Sequence, residues 1–431
     1  MADLTAHGEI RGQRTVLFLQ GLASPFLREF AKALIDRGHG VHKINFCWGD
    51  KLFWRLGGAF DFRDCSEQWP TYLARLLRGL RVTDVVMFAD GRPLHRVAIQ
   101  VAQSARVTPW VLEEGYVRPN WITLEMGGTN ANSSLSRRPC VILAESERLL
   151  DRFEGNSFAG GMARRVRDEV LYHVANFANF PRFRHYRHHR PWPPTRELLA
   201  GWLPKLVRTI SRRNEAAEIM AWVKARRSKY FFLPLQLEGD YQIRIHSPFG
   251  SVEAAIEYAL ESFANHATAD TYLLIKIHPL DNGMFDWRTF VNRRAKDLGI
   301  VPRVLLFDGG HLPTLLRNAI GVVTVNSTVG MSALTHNRPV CVLGRALYDV
   351  TGLTHQGALD SFWMSPVPPD MALFAAFRRL VIARTQLNGS FYTQEGIAQG
   401  VREAVDRIER AGSYQYSKDG GSIAGSTCIS R

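Results

Sequence analysis

Strand-like and helix-like segments alternate twice along this chain, and no other feature constrains its fold as tightly. The first series opens with "TVLFLQG", a continuous apolar run closed by Gly21. "SPFLREFAKALIDRGHG" follows at helical spacing, with Ser24 as the expected cap, Pro25 at the first helical position and Gly38 as the stop. "VHKINF", "DVVMFADG" and "TPWVLEEGY" read as further strands, separated by the helical "WPTYLARLLRGL" and "HRVAIQVAQSA". The alternation resumes at Tyr230 with "YFFLPLQ", the helix "SVEAAIEYALESFANHA" capped by Ser251, and the strand "TYLLIKIHP". "VLLFDG", "GVVTVNS" and "RPVCVLG" complete the second set, with "HLPTLLRNA" and "TVGMSALTHN" as the helices between them. Continuous apolar strands separated by helices predict α/β units whose parallel sheets are covered on both faces.

A chain of 431 residues is long enough for two such units and too long for one core. The expected boundaries are an N-terminal α/β domain over 1–144, a basic helical connection or insertion over 145–228, and a second α/β domain over 229–368. C-terminal helices over 369–411 and a Gly/Ser-rich tail over 412–431, read as disordered, complete the chain. The insertion contains "RFRHYRHHRPWPP", from Arg182 to Pro194. That mixture of cations and aromatics suits an anionic lipid headgroup or a membrane interface, and equally a solvated helix end.

The charge balance narrows the partners. Lys and Arg number 54 against 40 Asp and Glu, a formal net charge of +14. Such a surface is attracted to polyanions: nucleic acid, anionic lipid or an acidic substrate. No zinc spacing and no aromatic RNA-binding signature accompanies the charge, so nucleic acid is set aside as a partner. Cys47, Cys65, Cys140, Cys341 and Cys428 are scattered and odd in number, which fits a reducing compartment. No apolar run reaches the length of a membrane span, and the N-terminus lacks a secretory core. The expected location is cytoplasmic, peripheral to a membrane.

The polar residues worth testing all fall where a strand ends, which is where open α/β sheets bind ligands. In the first half these are Gln20-Gly21, Asp90-Gly91 and Glu113-Glu114-Gly115; in the second, Gln236 to Asp240, Lys276 to Pro279, Asp308-Gly309 and Asn326-Ser327-Thr328. Asn326, Ser327 and Thr328 precede a helix, whose free N–H groups favour a phosphate; the plain alternative is a helix cap. Lys276 and His278 stand two apart on one face of a strand, where a cation pair could hold a phosphate or carboxylate; the alternative is a histidine satisfied in a turn. Asp240 could serve as nucleophile or base, or as an ordinary turn residue after Gly239. Glu113 and Glu114 point to opposite faces if the strand continues, so one of them could deprotonate an acceptor, or pair with Arg118. No metal-ligand spacing, no G-x-S-x-G and no dinucleotide fingerprint is present.

Five segments taken together, "VLFLQGLASPFLREFAKAL", "EEGYVRPNWITLE", "PLQLEGDYQIRIHSPF", "KIHPLDNG" and "TVNSTVGMSAL", resemble the capsular polysaccharide biosynthesis and export family of the KpsS/LipB type. These are bacterial β-Kdo transferases of group 2 capsule systems, and the resemblance runs from about Arg14 to about Trp363. It implies two Rossmann-like domains facing a cleft, the GT-B-like glycosyltransferase architecture. It implies CMP-Kdo as donor, transfer with retention, and no cofactor. The implied acceptor is a phosphatidylglycerol-type lipid at the inner membrane surface, with a second Kdo transferase and the capsule export complex as partners. On the matching positions Asp240 is the implied nucleophile and Glu114, ahead of Glu113, the acceptor-side acid/base. His278 and Lys276 then face the donor's phosphate or carboxylate, and Ser327 and Thr328 cradle CMP. Asn326, Gln236, Gly21 and Arg118 join them as substrate-binding candidates. Two other readings remain open from the residues alone: a hydrolysing nucleotide-sugar epimerase-like enzyme, and a non-catalytic basic adaptor in capsule export.

Overall fold

The computed structural model describes residues 13–149, 155–187, 196–202, 204, 205, 207, 208, 213–225, 229–239 and 241–418. The first sheet contains β1 (Thr15–Phe18), β2 (Gly40–Asn45), β3 (Ala59–Asp61), β4 (Asp84–Phe88), β5 (Thr108–Glu114) and β6 (Trp121–Met126). The second contains β7 (Tyr230–Pro234), β8 (Tyr272–Lys276), β9 (Val304–Phe307), β10 (Gly321–Thr324) and β11 (Val340–Val342). Its order is β11-β10-β7-β8-β9, and every pair is parallel. The chain therefore leaves β7 toward one edge and returns to build the other. That reversal opens a crevice at the carboxyl ends of β7 and β10, the natural ligand position in such sheets.

The first sheet is parallel from β3 through β5, then turns antiparallel at β6. Its last strand, β12 (Gln386–Asn388), arrives from the far end of the chain and pairs with β6. The final helix, Gln394–Lys418, then packs on α1 (Phe26–Asp36). Ile397, Val401, Ala404 and Ile408 join Val16, Phe18 and Phe26 in one apolar cluster. The C-terminal segment thus completes the first unit. The helix also continues to Lys418, past the boundary expected at Ala411, and residues 419–431 lie outside the described residues.

The fold class is the one expected: two Rossmann-like α/β units. Each sheet has an apolar cluster on either face, so both strand sets are buried on two sides, as their continuous apolar runs require. The first sheet is pinned by the fully buried Asp84, which accepts from Arg14 at 2.7 and 2.8 Å, from Trp110 Nε1 at 2.8 Å and from Thr83 at 2.6 Å. Ser251 caps its helix as expected, accepting from Ala254 N at 3.2 Å. Ser24 departs from expectation. The helix begins at Phe26, Pro25 occupies the cap position, and Ser24 Oγ accepts from Phe26 N while donating to the carbonyl of Phe391. Its hydroxyl ties the helix start to the returning C-terminal segment.

Candidate functional site

The carboxyl rim of the first sheet supplies the acid. Along β5, Trp110 and Leu112 pack toward α1 and the last helix, whereas Val111 packs toward α3 (Trp69–Gly79) and α4 (Pro93–Ser104). Strand alternation continues that division, so Glu114 and Glu113 emerge on opposite faces. Glu114 lies 3.3 Å from Arg165 and 3.6 Å from Arg118. The contact with Arg118 is the ion pair expected from the sequence. Arg165 also covers the Tyr392 ring at 5.0 Å, which fixes the guanidinium from the second side.

The rim of the second sheet supplies the histidine. His278 follows β8, and burial together with Lys276, Lys205, Arg118 and Arg165 depresses its imidazole to about 4. Two of those cations are the partners of Glu114. The sequence-predicted Glu114 and Arg118 are therefore brought together with Lys276 and His278, across the two units. The expected cation pair needs correction: burial first, and then the surrounding positive charge, keeps His278 neutral near pH 7. Leu280 N donates to His278 Nδ1 at 3.0 Å, so the ring proton sits on Nε2. The turn and the site use different nitrogens of one ring. Lys276 is buried at the strand end, and desolvation lowers its ammonium. Beside it opens a cavity of about 260 Å³ lined by Lys205, Arg208, Ile277, Asp281, Trp287 and Asp308, among others.

At the crevice between β7 and β10, Gln236 Nε2 donates to Asn326 Oδ1 at 2.9 Å, and Asn326 N donates back to Gln236 Oε1 at 3.2 Å. This reciprocal pair fixes the two strand ends. Ser327 Oγ accepts from Val329 N at 3.2 Å, which is the capping role. Thr328 stands at the cap position of the helix Val329–Thr335 without a side-chain capping bond. Gly330 is required here: a Cβ would meet Tyr348 Oη at 2.2 Å, and that hydroxyl donates to the Ser327 carbonyl. Gly21 lies elsewhere, against Leu27 and a small pocket shared with Lys43, Asp50 and Tyr172. Asp240 lies outside the described residues. The short apolar run after it, "IRI", belongs to a helical turn, Tyr241–His246, with Ile243 buried in the second unit.

The loop after β6, "GGTNANSS", was not singled out from the sequence, yet it joins the units. Asn130 donates to the Asn326 carbonyl at 3.4 Å and accepts from Leu347 N at 3.0 Å. Asn130 holds φ of +49°, a left-handed position that asparagine tolerates. Asn132 Nδ2 contacts Asp90 Oδ2 at 2.8 Å and His246 Nε2 at 3.4 Å, so it bridges from one unit to the other. Asp90 Oδ1 is buried with no hydrogen-bond partner among the described residues. The only sequence signal was a glycine pair followed by an asparagine-rich loop, which marks a turn and nothing about its partner.

Glu125 sits at the root of this loop and accepts from Tyr116 and Ser133. Tyr116 in turn accepts from Asn130 N. Burial pushes the Glu125 carboxyl from 4.5 up to about 7. Between those values the folded protein holds a proton that the unfolded chain has lost, so this group's contribution to stability falls as pH rises. Glu125→Gln is expected to remove a decline of about 2–4 kcal/mol over that window. His95 and His278, depressed to about 3 and about 4, act in the opposite sense as pH falls below 6.5. The measurement is therefore the difference between wild-type and variant urea stabilities across pH. A flat difference would show that Glu125 is ionised in the fold.

Comparisons with known proteins cover most of the chain. Residues 83–392 match the family model described as capsule polysaccharide biosynthesis protein. Capsule polysaccharide modification protein LipB of Neisseria meningitidis serogroup A is 37% identical over 391 residues, covering 89% of this chain and 93% of LipB. Capsule polysaccharide export protein KpsS of Escherichia coli is 34% identical over 379 residues, covering 87% and 96%. Among solved structures, the β-Kdo 2,7 transferase of Thermosulfurimonas dismutans KpsC aligns with 92% of this chain and all of its own, at 14% identity and a TM-score of 0.41.

Proposed function

The chain belongs to the capsule polysaccharide biosynthesis family, and from that premise we propose that it is a retaining Kdo transferase. In this reading it moves β-Kdo from CMP-Kdo to a phosphatidylglycerol-type lipid at the inner membrane surface and so starts the oligo-Kdo linker of a capsule. The observation that carries it is one carboxylate, Glu114, set with Arg118 and Arg165 among the cations that surround His278 and Lys276. A donor with a sugar carboxylate and a phosphate brings two anionic groups to that rim, and fixed cations stabilise a leaving phosphate most where water is scarce.

The proposed chemistry is a double displacement. The Asp240 carboxylate attacks the anomeric carbon, the bond to the CMP oxygen breaks, and CMP departs with the electron pair. His278 Nε2–H and Lys276 donate to the departing phosphate or to the Kdo carboxylate. Glu114 then takes the proton of the acceptor hydroxyl as that oxygen displaces Asp240, which restores the free carboxylate and the original configuration. The Gln236–Asn326 pair, Ser327 and Thr328 shape the crevice that seats the nucleotide. Glu113 and Gly21 line the acceptor side.

The test is CMP release from freshly made CMP-Kdo, with and without phosphatidylglycerol, combined with mass spectrometry of the lipid. Acceptor-dependent release with a Kdo-lipid product supports the transfer. Release without acceptor points to a hydrolysing enzyme. Folded protein that releases nothing overturns the donor assignment.

A further inference from the structure

The helix α6 (Met162–Asn176), which follows α5 (Pro139–Glu147), is built inside out. Its polar side faces the protein. Asp168 is buried beside Arg164 and Arg167, and Arg165 reaches Glu114. Tyr172 is buried, accepts from Gln20 at 2.9 Å and donates to Asp50 at 3.1 Å. Its ring lies so close to Gly49 that a Cβ there would meet it at 2.6 Å. Asn176 and Asn179 accept from Gly49 N and Trp48 N at 2.8 and 3.0 Å, closing the helix onto α2 (Trp48–Trp54).

The opposite side is apolar and exposed. Met162, Val166, Val170 and Val174 repeat every fourth residue and form one stripe, with Leu171 beside them. Arg167 is the one charged side chain among the exposed residues of this helix. The stripe continues into Phe177 and Phe180, which are 66% and 79% exposed. Single exposed apolar side chains need no explanation, but a contiguous patch of this kind marks a contact surface.

We propose that this face is a membrane-docking surface, with α6 lying in the plane of an anionic bilayer. The choice of occupant rests on charge and position. Arg184, His185 and Arg187 are exposed just beyond the stripe, and the whole chain carries +14. An apolar helix face bordered by cations is the pattern that seats in the boundary between headgroups and acyl chains. Position agrees, because α6 presents Arg165 to Glu114 on its other side. A lipid entering from the bilayer would meet the proposed acid/base within one helix diameter of the stripe. The remainder of the basic segment, His188 to Pro194, lies outside the described residues.

The inference deepens the transferase reading, yet docking can be measured without donor. The full chain is sedimented with vesicles of phosphatidylcholine, with and without phosphatidylglycerol. Wild type is expected to pellet with the anionic vesicles, and Val166→Asp/Val170→Asp to lose about tenfold or more in association. Unchanged circular dichroism and melting temperature would confirm that the variant is folded, since both positions are exposed. Arg184→Glu/Arg187→Glu should weaken the same binding and lower its salt dependence. Binding that survives the valine substitutions overturns the proposal. So does a wild-type dimer that those substitutions render monomeric, without vesicle binding, because a second copy then covers the stripe. Turnover on a water-soluble phosphoglycerol acceptor separates the two ideas. It should persist in the valine variant, whereas its absence from wild type that still binds vesicles would defeat the reaction and leave docking standing.

Discussion

Glu114→Gln is expected to slow Kdo transfer by about 10²–10⁴-fold, the usual contribution of a positioned general base. The amide keeps the shape of the side chain but loses its negative charge and its ability to take a proton. The fold should be indifferent to the change, because Glu114 is partly exposed and its contacts with Arg118 and Arg165 are 3.6 and 3.3 Å. Pairs of that kind contribute about 0–1 kcal/mol. Glu113→Gln separates binding from chemistry: as an acceptor-side residue on the other face of β5, it should raise the acceptor KM with little change in kcat. Asp240→Ala should abolish transfer outright, since no covalent intermediate can form. Single-turnover release of CMP distinguishes the two losses. Glu114→Gln is expected to release one equivalent of CMP and stall as a glycosyl-enzyme detectable by mass, whereas Asp240→Ala releases none. Near-normal turnover in either variant would remove that residue from the mechanism.

Among substitutions remote from the rim, Asp84→Ala should have the largest effect, about 3–5 kcal/mol of lost stability. Its carboxylate is fully buried at the start of β4 and receives Arg14, Trp110 Nε1 and Thr83. Truncation leaves the Arg14 charge and the indole N–H without an acceptor inside the sheet, and each carries its own desolvation cost. Asp84→Asn keeps an acceptor for Trp110 and should cost less, about 1–3 kcal/mol. Urea midpoints at neutral pH give both values. A loss below about 1 kcal/mol for the alanine variant would mean that water replaces the carboxylate.

The sequence by itself determined the parallel core of the two sheets, β1, β2, β4 and β5 in the first and β7 to β11 in the second, but not β3, β6 or β12. Those core strands are mostly apolar runs, and such runs are stable only when helices cover both faces, so the alternation leaves one fold class. It also determined that Glu114, Gln236, Lys276, His278 and Asn326 would sit at strand ends, because chain direction in a parallel sheet brings all carboxyl ends to one rim. The family resemblance was legible for the same reason, its motifs being those rim segments.

Tertiary structure decided what periodicity cannot carry. Three residues of β12 hold no sign that they pair with a strand more than 250 positions earlier, at Thr123. The neutrality of His278 arises from its burial first, then from Lys276 and Lys205, with Arg118 and Arg165 adding to it, and no local pattern reports burial or a through-space field. The bridge from Asn130 to Asn326 and Leu347 belongs to the same class of long-range contact. In α6 the period is plain from the residues, but a period fixes only that one face is apolar. Which face turns inward was settled by Tyr172, whose hydroxyl meets the buried Gln20 and Asp50. Seating that group leaves the apolar stripe on the surface.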